Sequence, residues 1–198
     1  MSDFVVVKEH PQMLSYIDSL QKSNAECLSF YPMQTFEREK DNGRLFLGLL
    51  NGEPCGYIYT GAVTTNGIRC HQVCIQYDAR RRLYGAALVA VMEDYANTHQ
   101  ATAITLRCGF DLDANNFWGS LGYICIAHDI GGVRRRRTIN VWRKILQPEL
   151  FPVIAIEPAA GVADASLWRK HKESGIVTQF VRGRRMQDYR AYIESQDK

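Results

Sequence analysis

Apolar positions along the chain change their spacing several times, and each change marks an element. Residues 4–8 form a short β-rich run, and residues 10–22 then place Met13, Leu14, Ile17 and Leu20 at helical spacing. A weaker helical stretch follows Pro32 and stops at the Asn42-Gly43 turn. From Arg44 the pattern is strand-like: R-L-F-L-G-L-L, C-G-Y-I-Y-T-G-A-V and I-R-C-H-Q-V-C-I-Q-Y, separated by Asn51-Gly52 and Asn66-Gly67. Both residues of an Asn-Gly pair tolerate the positive φ of a tight hairpin turn, so the three strands are expected to form an antiparallel meander. Residues 83–98 carry Leu88, Val91, Met92 and Tyr95 on one face and predict an amphipathic helix. Residues 101–108 read as a strand, 111–121 as a short helix closed by Gly122, and 123–130 and 138–146 as two further strands.

Strand, helix, strand inside an otherwise antiparallel plan requires one parallel crossover. The expected fold is therefore α+β: a mixed, mostly antiparallel sheet with a splayed parallel pair and helices on both faces. Pro148, Pro152 and Pro158 then break the pattern, and residues 162–173, 176–181 and 186–195 read as helix, strand and helix. This gives a main domain of residues 1–147 and an extension, 148–198, too short for a core of its own and expected to pack on the main domain.

Charge sharpens the picture only locally. The 198 residues carry 24 Lys and Arg against 21 Asp and Glu, a net charge of +3, but arginine clusters at 80–82, 134–137 and 182–185. Such clusters suit phosphate-bearing ligands. Six scattered cysteines without a C-x-x-C pair signal neither zinc nor a disulfide framework, and no metal is expected. The N-terminus lacks the order of a signal peptide, and no apolar stretch approaches the ~20 residues of a membrane helix. A cytoplasmic protein is expected.

The chemistry concentrates where a strand meets a helix, at C-I-Q-Y-D-A-R-R-R-L-Y-G-A-A-L-V, residues 74–89. Helix N-termini expose unpaired N–H groups and partial positive charge, so this turn is a seat for a diphosphate, with Gly85 allowing close approach. A basic turn can equally be a solvated cap. The segment Arg80-Arg81-Arg82-Leu83-Tyr84-Gly85, followed by Ala86, resembles the Q/R-x-x-G-x-G/A signature of the GCN5-related N-acetyltransferase (GNAT) family. Ala114-Asn115-Asn116-Phe117-Trp118-Gly119-Ser120-Leu121-Gly122-Tyr123 resembles that family's second helix-end motif. The resemblance covers roughly residues 4–146.

It implies an acyl-CoA-dependent N-acyltransferase that uses acetyl-CoA or another acyl-CoA, by direct attack of an amine in a ternary complex. Backbone amides near Val73 and Ile75 would polarise the acyl oxygen, Arg80 to Ala86 would hold the diphosphate, and Asn115, Phe117 and Trp118 would lie beside the pantetheine arm. Leu83 replaces the first motif glycine, and Trp118 replaces the usual tyrosine acid, whose role an indole N–H does not fill. Strict alternation places Arg69, His71, Val73 and Ile75 on one face. His71 is then the strand's neutral-pH proton acceptor, with Tyr77 and Tyr123 as candidate acids; each also reads as an ordinary structural residue. The acceptor side would be lined by Phe30, Tyr31 and Arg134, Arg135, Arg136 and Arg137. A run of arginines there is either a solvated loop or a polyanion contact. The phage Mu Mom protein, a DNA-base modifier, is similar to the superfamily in fold, so DNA modification is an alternative, as is a non-catalytic binding module. The amine acceptor is open between a small molecule and a macromolecule, and a dimer is compatible with the pattern.

Overall fold

The computed structural model describes residues 3–131, 137–147 and 155–159. Its elements run β1 (Phe4–Val7), α1 (Met13–Ser23), α2 (Met33–Asp41), β2 (Leu45–Leu50), β3 (Glu53–Thr60), β4 (Ile68–Ile75), α3 (Tyr84–Thr98), β5 (Ala103–Gly109), α4 (Ala114–Ser120), β6 (Ile124–Gly131) and β7 (Arg137–Ile145). Neighbouring strands follow the order β1-β2-β3-β4-β5-β7-β6. The sheet is mostly antiparallel with one parallel pair. Helix α3 joins the neighbours β4 and β5, which is the crossover a parallel pair needs.

Two compact units divide the chain: Met1–Thr105 with Ile145–Glu149, and Leu106–Lys144 with Leu150–Lys198. In the first, the expected meander forms. At the β2–β3 turn Asn51 and Gly52 have φ of 51° and 86°, as the Asn-Gly pair allows. The β2 run L-F-L-G-L is apolar throughout because helices cover both of its faces. Leu45, Leu47 and Leu49 join Tyr57, Tyr59 and Cys74 beneath Met13, Ile17 and Phe36 of α1 and α2. Phe46 instead meets Tyr95 of α3, ring centroids 5.6 Å apart. A Cβ on Gly48 would sit 2.9 Å from the Phe4 ring, and Phe4 stacks in turn on Tyr84 at 4.6 Å. The glycine thus seats the aromatic pair that ties α3's first turn to β1.

In the second unit, β6 and β7 pair antiparallel, from Ile124 opposite Arg143 to Gly131 opposite Arg137. Asn140 of β7 is fully buried. Its Nδ2 donates to Asn115 Oδ1 and to the Ala159 carbonyl, both at 2.9 Å, and its Oδ1 accepts the Ala159 N–H at 3.0 Å. The Ile156 N–H donates to the Cys125 carbonyl at 2.7 Å. Residues 155–159 are therefore docked on this unit. The expected elements at 162–173, 176–181 and 186–195 lie outside the described residues.

Candidate functional site

The strand-to-helix turn forms as the sequence suggests, with a backbone that explains the family glycine. After a single 3-10 turn, Tyr77–Ala79, the chain places Arg81 at φ 60° and Leu83 at φ 65°, both left-handed, before α3 begins. Each such residue costs about 1–2 kcal/mol, because its Cβ crowds the following carbonyl. Leu83 is the N-cap, no side chain caps the helix, and the leucine is 81% exposed. Tyr84, Gly85 and Ala86 follow, half-buried, in the first turn of α3, whose leading N–H groups have no carbonyl within the helix to bond.

The three arginines do different things. Arg80 donates from Nε to the Ile75 carbonyl (2.9 Å) and from Nη2 to Asn24 Oδ1 (2.7 Å), and it lies over the Tyr77 ring at 5.5 Å. It fastens the end of α1 to the end of β4. Arg81 and Arg82 are exposed and make no ion pair among the described residues. Tyr77 is 78% exposed.

Strand β4 departs from the expected alternation. Tyr59 pairs with Gln72 and Thr60 with Cys70, leaving His71 as an extra residue, a β-bulge. The bulge turns His71 onto the α1–α2 side together with Gln72, whereas simple alternation had grouped it with Val73 and Ile75. His71 stacks on Tyr59 (centroids 4.7 Å, 19° between planes), and its Nδ1 lies 3.0 Å from the Tyr31 hydroxyl. A Cβ on Gly61 would come within 2.8 Å of its Nε2, so that glycine makes room for the ring. Burial, aided by the positive charge of Arg69 and opposed by Glu39, pulls the His71 pKa down to about 4. Burial also raises the Tyr31 pKa. His71 and Tyr31, drawn from separate candidate groups, thus meet; Phe30 beside Tyr31 is 69% exposed.

Two glutamines that sequence reasoning missed hold this pair in place. Gln21 donates from Nε2 to the Tyr31 carbonyl (3.0 Å) and accepts the Tyr31 N–H at Oε1 (2.8 Å). Gln72 donates to Gln21 Oε1 and to the Ser29 carbonyl, and accepts from the Tyr57 hydroxyl. Both are buried, and the signal for Gln72 was a polar residue between Cys70 and Cys74 on an apolar strand. Burial pushes those two thiols up, Cys70 to about 12 and Cys74 to about 11, so both stay protonated at neutral pH. Val73 and Ile75 are half-buried, opposite Ile58 and Gly56.

In the second unit the candidate residues have structural partners. The Asn115 amide donates to the carbonyls of Gly109 and Leu112 at 2.7 and 2.8 Å, and its oxygen accepts from Asn140 and Trp142. Trp118 is buried, edge-on to Phe117 and to Tyr123, each 5.1 Å away. Tyr123 is 3% exposed with Lys144 over its ring, which closes it off from solvent. Arg137 opens β7 and pairs with Asp111 at 3.5 Å across Gly109, both side chains largely buried, so it is no part of a free arginine loop. Arg134, Arg135 and Arg136 lie outside the described residues, as does the cluster at 182–185. No helix among the described residues is long and apolar enough to cross a membrane.

Comparison with known proteins agrees with this fold. The sequence profile described as the acetyltransferase (GNAT) family matches residues 13–123. No curated protein is significantly similar in sequence. Ard1 from Thermoplasma volcanium superposes with a TM-score of 0.66 at 13% identity, over 73% of this chain and 99% of that one. The ribosomal-protein-S18-alanine N-acetyltransferase of Escherichia coli gives 0.61 at 14%, over 74% and 96%. YncA of Salmonella typhimurium, solved with its cofactor acetyl-CoA, gives 0.64 at 13%, over 76% and 98%.

Proposed function

The chain belongs to the acetyltransferase (GNAT) family, and from that premise we propose that it moves an acetyl group from acetyl-CoA to an amine by direct attack, with His71 receiving the amine's proton. The observation that carries the reading is the β4 bulge. It sets a neutral imidazole, braced by Tyr31, on the strand that runs into the uncapped, arginine-flanked turn of α3.

Acetyl-CoA would supply the activated thioester. The α3 turn fits its diphosphate: the N–H groups of Tyr84, Gly85 and Ala86 would supply hydrogen bonds, and Arg81 and Arg82 would supply charge. Arg80, committed to Asn24 and Ile75, shapes the turn. The amides of Val73 and Ile75 are the candidates for polarising the carbonyl oxygen. When hydrogen sits on Nδ1 and is donated to Tyr31 Oη, Nε2 keeps its lone pair. Nε2 then takes the proton lost as the amine nitrogen bonds to the acetyl carbon. Tyr77, the solvent-open member of the two candidate tyrosine acids, or solvent itself would protonate the sulfur that the thioester releases. Protonated Cys70 and Cys74 favour this direct route over an acyl-cysteine.

The test is thermal unfolding with acetyl-CoA. A ligand at a hundred times its Kd adds about 2.7 kcal/mol, roughly 5–10 °C for a chain of this size. Gly85→Val should abolish that gain while unfolding stays cooperative. An unchanged shift in the variant refutes the assigned seat, and no shift in the parent refutes the coenzyme.

A further inference from the structure

Arg80 opens the motif at the coenzyme turn, yet its bonds run the other way, towards the loop that carries Tyr31. Nε donates to the Ile75 carbonyl at 2.9 Å and Nη2 to Asn24 Oδ1 at 2.7 Å. Asn24 is the C-cap of α1, where the α1–α2 loop begins. Its Nδ2 donates to the Leu20 carbonyl at 2.8 Å, and its own carbonyl accepts the N–H groups of Cys27 and Leu28 at 2.9 and 3.0 Å. The first turn of the loop is thus folded around Asn24, and Leu28 leaves it packed against the core beneath α1 and α2. Gln72 and Gln21 take over at Ser29 and Tyr31, and the Tyr31 hydroxyl ends 3.0 Å from His71 Nδ1. From guanidinium to imidazole the path consists of hydrogen bonds and one bonded turn.

Building on the acyl-transfer reading above, we propose that Arg80 is a positioning residue for the acceptor side: through Asn24 it sets the path of the α1–α2 loop and so holds Tyr31 against His71. The coenzyme's phosphates are left to Arg81, Arg82 and the α3 amides. The chemistry of the side chain supports this division. A guanidinium grips a phosphate best through two parallel N–H bonds, and the Nε–Nη2 edge of Arg80 is spent on a main-chain carbonyl and an amide oxygen. Arg81 and Arg82 are exposed and make no ion pair among the described residues. At the far end of the path, His71 is faced by the Tyr31 hydroxyl and the Tyr59 ring, and by Arg69 and Glu39 through their fields. Asn24 carries no charge. Its removal leaves those fields as they are, so a change at His71 would report water reaching the ring.

Two measurements on the full chain test this: titration of the His71 ring by NMR, and the Kd of acetyl-CoA by calorimetry. The parent ring should titrate near pH 4. Asn24→Ala should lift that value to about 5 or above as the loop loosens, with the Kd of acetyl-CoA changed by less than about threefold. Arg80→Met should do the same, and the double variant should go no further than the larger single effect, because both substitutions cut one link. Asn24→Asp keeps an acceptor for Nη2 and should restore the parent titration. Arg81→Met with Arg82→Met should instead weaken acetyl-CoA by about tenfold or more and leave His71 unmoved. A His71 titration unmoved in both Asn24→Ala and Arg80→Met overturns the proposal. So does a loss of acetyl-CoA affinity in Arg80→Met as large as that of the Arg81 and Arg82 pair, which would make Arg80 a phosphate ligand. A parent that binds no acetyl-CoA removes the coenzyme reading, and the titrations then decide the loop link by themselves.

Discussion

Leucine at the N-cap of α3 is a conformational misfit that can be measured. Leu83 holds φ 65° and ψ 2°, and its side chain is 81% exposed, so almost no apolar burial rewards it. Truncation to alanine keeps the Cβ and the left-handed strain, and should change stability by no more than about 0.5 kcal/mol. Leu83→Gly removes the Cβ and relieves about 1–2 kcal/mol of strain, against about 0.5–1 kcal/mol for the greater freedom of glycine in the unfolded chain. The glycine variant should therefore exceed the alanine variant by about 0.5–1 kcal/mol, or about 1–4 °C in Tm for a chain of this length. Urea unfolding of the two variants side by side reads the difference as a shift in midpoint at constant slope. Equal midpoints would show that the turn escapes the left-handed conformation, and the account of the motif glycine would fall with it.

Other expectations concern His71 and the second unit. Gly61→Ala should displace the His71 ring, since the new Cβ would lie 2.8 Å from Nε2, and should lower kcat at least about tenfold with little change in acetyl-CoA binding; an unaltered kcat removes His71 from the reaction. His71 should titrate near pH 4 by NMR. Because its folded pKa lies below the unfolded value of about 6.5, the unfolded chain binds more protons between those values, so stability falls as pH drops from about 6.5 towards 4. His71→Gln should flatten that loss, and equal acid sensitivity in both proteins contradicts the burial argument. Asn140→Ala orphans the Ala159 N–H and carbonyl and should cost about 2–3 kcal/mol in denaturant unfolding; a loss under about 0.5 kcal/mol would mean that water replaces the clamp.

The fold was legible because its signals are local. Asn-Gly turns, the apolar run of β2 and the helical stripe of α3 each state their element within a few residues. The site was legible only as residue types. His71 stood out by its chemistry, but the bulge that turns it towards Tyr31 is marked by neither glycine nor proline, so alternation put it on the wrong face. Arg80 read as a free phosphate ligand because its partner Asn24 lies 56 residues away in sequence. Arg137 read as one of four loop arginines because nothing local ties it to Asp111. In each case a long-range pairing reassigned a charge that the sequence shows only as a cluster.

Gln21 and Gln72 grip the α1–α2 loop through the main-chain atoms of Ser29 and Tyr31, not through side chains. A hold on peptide groups is indifferent to what those residues carry. Substitutions at positions 29–30 can therefore change what the loop presents beside Tyr31 while the loop keeps its path.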